Sequence, residues 1–256
     1  LKTKPEDLRD NPDFLLILVP GRLHEIMVMS TFAQKVNQFN RTLSFNEKLP
    51  EGIRIMNPFR NNRDILSISE KFYNKFYNDH HKRRMILGIN PGRLGAGATG
   101  IPFTDTKRLA EHCNIQINSF TTHEPSSVFM YDMIECYGGV NRFYDDYYIN
   151  STCPLGFLRL NTKGNWVNCN YYDYEELFEA MESFIISNLK KQIEFGIETD
   201  VCFSLGKKNA KYLKRINNKT HLFEKIIPLN HPRYIVQYKS REKESFISDY
   251  VEKLTL

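Results

Sequence analysis

The stretch that decides the fold is MILGI at residues 85–89, which is followed at once by Asn90-Pro91-Gly92. A short apolar run with charge before it and a turn after it is typical of a strand buried on both faces. Similar runs stand at residues 147–149, 201–204 and 225–229, and amphipathic helical segments separate them. This alternation predicts an α/β fold: a three-layer αβα sandwich around a central, mostly parallel sheet of four strands.

The composition restricts the class of protein. Of 256 residues, 41% are hydrophobic and 13% aromatic, with only 13 Gly and 11 Pro, which excludes disordered and collagen-like chains. No apolar run approaches the ~20 residues of a membrane span, so we expect no membrane association. Five scattered cysteines without a C-x-x-C pair predict reduced thiols, a cytoplasmic location and no zinc or iron–sulfur centre. A net charge of +5 is compatible with nucleic-acid binding without indicating it strongly.

The chain divides into two unequal parts. We expect residues 1–28 to be an N-terminal extension outside the core and residues 29–256 to form the α/β domain. Residues 1–28 show no clear periodicity and lack the features of a signal peptide. Beyond them, Phe32 and Phe39 fall on one face of a predicted helix, and Met29 is the expected start of the core.

Polar residues directly follow each of the four predicted strands. The four segments are Asn90-Pro91-Gly92, Asn150, Gly206-Lys207 and Asn230-His231-Pro232. In a parallel sheet the carboxyl ends of the strands meet at one edge, which is where such folds bind ligands. We therefore expect a functional site that gathers these segments.

Two glycine motifs leave other functions open. Residues 95–100 match G-x-G-x-x-G, but they do not follow the strand directly, and Pro102 does not continue a helix, so a dinucleotide site is not favoured. Gly206-Lys207 resembles half of a phosphate loop, but Lys208 stands where Ser or Thr is required. The helix N-terminus at Lys207 is still suited to a DNA phosphate. Taken without other evidence, His231 is more simply explained as a histidine in a turn.

Two segments resemble motifs of the single-strand-selective monofunctional uracil-DNA glycosylases. GINPG at residues 88–92 and TGIPF at residues 99–103 resemble the first motif of that family, and Phe103 follows Asn90 by the family's interval of 13. INSTCPL at residues 149–155 resembles the middle motif, in which an Asn two or three residues before Cys-Pro-Leu recognises the base.

The end of the chain resembles the final motif of the same family. Asn230-His231-Pro232 matches its His-Pro element, and the three motifs occur in the family's order over roughly residues 85–254. The sequence differs from the family at Arg233-Tyr234, where His-Pro-Ser and a longer wedge segment are usual, and at Arg93, where Pro or an apolar residue is usual. These differences indicate a divergent bacterial branch.

The resemblance implies a monofunctional DNA glycosylase of base excision repair. Such an enzyme extrudes the nucleotide and hydrolyses the N-glycosidic bond of uracil, with hypoxanthine and xanthine as further candidate bases. The resemblance assigns Asn90 to orienting the water and His231 to donating a hydrogen bond to uracil O2. An amide is not a strong base, so positioning and stabilisation of the leaving anion must dominate catalysis. The base-binding positions implied are Ile89, Gly92, Phe103 and Asn150.

The expected partner is DNA that contains uracil or another deaminated base. Four basic residues stand close to the proposed site and are predicted to bind DNA: Arg93, Lys207, Arg233 and Arg241. We expect a monomer associated with the bacterial nucleoid, without cofactor or metal. The alternative is a non-catalytic nucleic-acid-binding or nucleotide-binding α/β domain.

Overall fold

The computed structural model describes the backbone of residues 14–19 and 22–27 and all atoms of residues 29–60 and 62–255. The elements in chain order are β1 (Phe14–Val19), β2 (Arg22–Met27), α1 (Phe32–Thr42), β3 (Ile53–Met56), α2 (Arg63–Phe76), β4 (Arg83–Gly88), α3 (Ala96–Thr99), α4 (Thr106–Glu111), α5 (Pro125–Tyr137), α6 (Gly139–Asp146), β5 (Tyr147–Ser151), β6 (Gly156–Leu160), β7 (Trp166–Cys169), α7 (Glu175–Ile193), β8 (Ile197–Leu205), α8 (Lys207–Thr220), β9 (Lys225–Leu229), α9 (Pro232–Tyr238), the 3₁₀ turn Ser240–Glu242 and α10 (Lys243–Leu254).

The predicted central sheet is confirmed. Its strand order is β5-β4-β8-β9, and all three pairings are parallel. In this register Leu87 lies opposite both Asn150 and Ser204. The carboxyl ends of the four strands therefore meet at one edge, as the sequence predicted.

Two adjacent tyrosines show that helices cover both faces of this sheet. Successive side chains of a strand point to opposite faces. The ring of Tyr147 packs against Tyr137 of α5, with ring centroids 5.7 Å apart. The ring of Tyr148 packs against Phe32 of α1 and Tyr77 after α2, at 5.2 and 5.9 Å. Helices therefore flank the sheet on both sides, which confirms the three-layer sandwich.

A second sheet was not predicted from the sequence. β3, β6 and β7 form an antiparallel sheet in the order β3-β6-β7. Its strands have four or five residues and mix polar with apolar side chains, so neither their length nor their pattern is distinctive. The close approach of this sheet to the first motif depends on Gly156, where an added Cβ would lie 2.5 Å from the carbonyl oxygen of Pro91.

Four further elements also escaped prediction: β1, β2, α6 and α9. β1 and β2 pair as an antiparallel hairpin within the segment predicted to be an extension outside the core, while residues 1–13, 20, 21 and 28 lie outside the described residues. Helices α6 and α9 are short, and α9 begins with Pro232, directly after the His-Pro motif. The assignment of residues 1–28 to an extension stays a prediction. No helix in the described part of the chain is long and apolar enough to span a membrane.

Candidate active site

A cleft of about 610 Å³ opens at the carboxyl edge of the central sheet. Seven of the ten site residues predicted from the sequence line it: Ile89, Asn90, Gly92, Arg93, Phe103, His231 and Arg233. Asn150, Lys207 and Arg241 are not among its lining residues. The cleft therefore brings together the first and last motifs, which stand more than a hundred residues apart in the sequence.

The amide of Asn90 is held by the segment that follows β7. Its Oδ1 accepts a hydrogen bond from the backbone N–H of Tyr171 at 3.0 Å. Its Nδ2 donates to the carbonyl oxygen of Cys169 at 3.3 Å. These two bonds fix which side of the amide is donor and which is acceptor. Asn90 is thereby rigid enough to position a small molecule such as water, and the unpredicted β7 supplies that rigidity.

The imidazole of His231 is fixed in one tautomer. His231 is the N-cap of α9, and its Nδ1 accepts a hydrogen bond from the backbone N–H of Arg233 at 3.1 Å. A neutral imidazole that accepts at Nδ1 carries its proton on Nε2. Burial, together with the nearby Arg233 guanidinium, lowers the pKa of His231 to about 4. Near neutral pH His231 is therefore a neutral Nε2–H donor.

Phe103 lies between the sheet edge and His231. An added Cβ at Gly88 would lie 3.1 Å from Cε2 of Phe103, so the absence of a side chain at Gly88 lets the ring approach the strand. The ring centroids of Phe103 and His231 are 6.0 Å apart. Phe103 has a φ of 55°, a region that non-glycine residues seldom adopt and that is frequent at functional sites. Thr99 stabilises this loop by donating to the carbonyl oxygen of Thr104 at 2.7 Å.

In the middle motif Ser151 lines the cleft, whereas Asn150 lines a smaller adjoining pocket that shares Pro91 and Ser151 with the cleft. The Nδ2 of Asn150 donates to the hydroxyl of Tyr148 at 2.7 Å, and its Oδ1 accepts from the backbone N–H of Ser151, also at 2.7 Å. Ser151 lines the cleft. Neighbouring residues of a strand point to opposite faces, so a difference of one position changes which side chain faces a ligand. The sequence motif predicted Asn150 for base recognition and gave no indication of Ser151.

The four predicted DNA-binding residues fall into two pairs. Arg93 and Arg233 are exposed and line the cleft. Lys207, at the start of α8, and Arg241, in the 3₁₀ turn, are exposed but lie outside the lining. Lys207 is nevertheless close to the site, because an added Cβ at the preceding Gly206 would lie 3.5 Å from Cβ of His231.

Glu124 is a cleft residue that sequence reasoning missed. It precedes α5 and lines the cleft, where its carboxyl group lies against Gly95, so that an added Cβ there would be 2.2 Å from Oε2. This Oε2 is buried and has no hydrogen-bond partner among the described residues. Burial, and to a smaller extent the nearby Asp105 carboxylate, raises the pKa of Glu124 to about 7. No pattern around Glu124 signals its burial, which involves close packing against Gly95, a residue distant in sequence.

One cluster outside the cleft has the composition of a metal site. Potential ligand atoms of Asp79, His81 and Asp145 lie within 4.8 Å of one another. However, the Arg83 guanidinium donates to both carboxylate oxygens of Asp79, at 2.8 and 2.7 Å. The hydrogen bond to Asp145 raises the pKa of His81, which favours an imidazolium that cannot bind a metal. The cluster is explained as an ion-pair network, and the absence of a metal from the protein stays a prediction.

Comparison with known proteins identifies the class. The model of the uracil DNA glycosylase superfamily matches residues 74–255, and the chain belongs to that superfamily. It is a DNA glycosylase, a hydrolase of N-glycosyl bonds. Among solved structures it is similar to wild-type SMUG2 of Pedobacter heparinus, with a TM-score of 0.86 and 50% sequence identity over 89% of this chain and 98% of that chain. A search of curated protein sequences gave no match. The non-catalytic alternative has no support in these comparisons.

Proposed function

We propose that the enzyme is monofunctional and excises uracil from DNA by direct attack of water on the sugar. The observation that best supports this is the convergence of Asn90, Phe103 and His231 on one cleft, with His231 held as a neutral Nε2–H donor. Among the described residues no lysine lines the cleft, which favours hydrolysis without an enzyme-bound imine.

The chemistry requires a stabilised anion and a positioned water. As the N1–C1′ bond breaks, its electron pair stays on uracil and the sugar becomes oxocarbenium-like. His231 donates from Nε2 to uracil O2, where negative charge develops. Asn90 orients the water that attacks C1′, and the water's proton leaves to solvent. Phe103 stacks on the extruded base, and backbone amides near Ile89 and Gly92 complete the base pocket.

For base recognition we propose a division of labour in the middle motif. The Ser151 hydroxyl would bond to the base, since Ser151 lines the cleft, while Asn150 holds the backbone of Ser151 through the 2.7 Å bond to its N–H. The alternative is that Asn150 recognises the base directly, as the sequence resemblance implies, by pairing its amide with uracil N3 and O4. Its Nδ2 has a second hydrogen and its Oδ1 a second lone pair beyond the bonds to Tyr148 and Ser151. The two arrangements make different predictions for substitutions at these positions.

We also propose that the four basic residues bind the DNA backbone. Arg93 and Arg233 act from the walls of the cleft, and Lys207 and Arg241 act from the surface beside it. Arg233 follows the His-Pro turn, so it is the candidate for filling the space that the extruded nucleotide vacates. Phosphate contacts of this kind supply affinity that is independent of sequence and sensitive to salt.

The oligomeric state and the cellular location are part of the same proposal. We propose a monomer that acts in the cytoplasm of a bacterium. All five cysteines are free, including the exposed Cys136, which suits a reducing compartment.

Single-turnover kinetics on a uracil-containing oligonucleotide test the proposal. Asn90→Ala and His231→Ala should each lower the rate about 10²- to 10³-fold, the usual effect of losing one preorganised group. His80→Ala is the control, because His80 is exposed and precedes the opposite end of β4. Wild-type rates for both site variants would overturn the proposal.

A second pair of variants decides which residue recognises the base. If Ser151 faces the base, Ser151→Ala should slow uracil excision more than Asn150→Asp does. If Asn150 pairs with uracil directly, Asn150→Asp should weaken discrimination against cytosine, because an acceptor replaces a donor. The assay compares matched oligonucleotides with uracil, cytosine, hypoxanthine or xanthine at one position, and we expect uracil to be excised fastest by the wild-type enzyme.

A further inference from the structure

Two exposed tyrosines form the outer wall of the cleft. Tyr234 and Tyr238 stand four residues apart on α9, so they share one face of the helix. Their ring centroids are 5.8 Å apart with an angle of 42° between the planes. Tyr234 is 44% exposed and Tyr238 67% exposed, and both line the cleft. Neither hydroxyl hydrogen-bonds to another described residue.

The position of these rings is unusual for exposed apolar surface. Six large apolar side chains are exposed in the described part of the chain: Met29, Leu94, Leu160, Tyr174, Tyr234 and Tyr238. Three of the six, Leu94, Tyr234 and Tyr238, line this one cleft. Single exposed apolar residues need no explanation, but a group of them around a binding site indicates a contact surface.

The charge around the rings indicates what they contact. Arg93 and Arg233 line the same cleft, where Glu124 is the one acidic residue among the described lining residues. Such a surface favours a polyanion whose apolar parts are flat rings. Unpaired nucleobases meet this description, because every base offers a face for stacking and its phosphate attracts arginine. Bases inside an intact duplex are already stacked and do not reach the rings.

We propose that Tyr234 and Tyr238 form a stacking platform for the unpaired bases next to the target nucleotide, in the cleft that Leu94 also lines. The enzyme then engages single-stranded or locally opened DNA through a strand segment longer than the target nucleotide. This inference rests on the proposed excision of uracil, and it adds two residues that contact the bases flanking the target nucleotide.

The platform is tested by binding of the full-length enzyme to single-stranded oligonucleotides. The target is a 2′-fluoro analogue of deoxyuridine, whose electron-withdrawing fluorine slows formation of the oxocarbenium ion. Tyr234→Ala and Tyr238→Ala should each raise Kd about 5- to 150-fold, the usual effect of losing one stacked base. The corresponding Phe variants should bind like the wild type. Tyr174→Ala is the matched control, because Tyr174 is also 44% exposed but lies outside the cleft lining.

A second measurement assigns the effect to stacking. Oligonucleotides with abasic sites on either side of the target lack the bases that the rings would contact. Wild-type enzyme should bind them as weakly as the double alanine variant of Tyr234 and Tyr238 binds the normal strand. The Kd of the double variant should not rise further when the bases are removed, since each ring and its base act as one pair.

The outcomes separate this inference from the proposed function. The platform would be overturned if removing the rings and removing the bases raised Kd independently and additively. An unchanged Kd in the alanine variants would also overturn it. Slower excision at saturating enzyme with unchanged Kd would also overturn it. If the wild type does not excise uracil at all, the proposed function fails, while the binding comparison remains a valid measure of the platform.

Discussion

Replacing Glu124 by Gln should change how the stability of the enzyme depends on pH. Its backbone N–H donates to the Asp105 carboxylate at 3.0 Å and its carbonyl oxygen accepts from the Ser127 N–H at 2.9 Å, so the residue cannot easily move away. Its side-chain Oε2 is buried without a partner among the described residues. An ionised carboxylate is therefore poorly solvated there, and the pKa rises from 4.5 to about 7.

The size and sign of the effect follow from proton linkage. At about 1.36 kcal/mol per pKa unit, the rise from 4.5 to about 7 corresponds to about 3 kcal/mol. Between these values the folded protein binds more protons at Glu124 than the unfolded chain does. The free energy of unfolding of the wild type should therefore fall as pH rises through this window. Below the window Glu124 is protonated in both states, and this cost is absent.

Urea unfolding of the wild type and Glu124→Gln at about pH 5 and about pH 8 measures this effect. Gln has the size and neutrality of the protonated acid, so the variant should gain up to about 3 kcal/mol relative to the wild type between the two pH values. Titration of other groups cancels in this difference. Glu179→Gln is the control at an exposed glutamate. An equal stability difference at both pH values would refute the reasoning.

Three further substitutions test DNA binding and the core. Lys207→Ala should flatten the slope of log affinity against log salt by about 0.7 to 0.9 and weaken all sequences alike; an unchanged slope would remove Lys207 from the interface. Arg233→Ala should slow excision from duplexes more than from single strands, because only a duplex must be held open; equal losses would exclude the wedge role. Arg83→Met should lower the free energy of unfolding by about 3 kcal/mol, because Asp79 loses its ion-pair partner. Chemical denaturation measures this, and a loss below about 1 kcal/mol would contradict it.

The central sheet was predictable because its strands are buried on both faces. The run at residues 85–89 needs no information from distant residues to be recognised as a strand, and β4 is observed at Arg83–Gly88. The strands of the second sheet have mixed side chains, and their pairing depends on contacts that the sequence does not show. Arg83 illustrates the same limit. It belongs to a basic run that suggests solvent exposure, yet it is fully buried, between Phe32 and Tyr77.

The site was predictable where a backbone turn fixes the position of a side chain. Asn90 and His231 each precede a proline at the end of a strand, and both line the cleft. Asn150 and Ser151 are neighbours in one strand, and nothing in the sequence shows that Ser151 lines the cleft while Asn150 lines the pocket beside it. Glu124 lies in no motif. Its raised pKa arises from burial and, to a smaller extent, from the Asp105 carboxylate, and its carboxyl group packs against Gly95, which lies between the two parts of the first motif.

What makes this edge of the sheet rigid is a buried chain of amide and hydroxyl groups. Asn209 of α8 is fully buried, and its Nδ2 lies 3.1 Å from the carbonyl oxygens of both Leu87 and Gly88 at the end of β4. Its Oδ1 accepts from the hydroxyl of Tyr171 at 2.9 Å, and the N–H of Tyr171 in turn holds Asn90. Two segments distant in sequence, α8 and the segment at Tyr171, are thus joined to the end of β4. Catalysis by an amide depends on position rather than basicity, so this network explains how a loop residue can serve as the group that orients water.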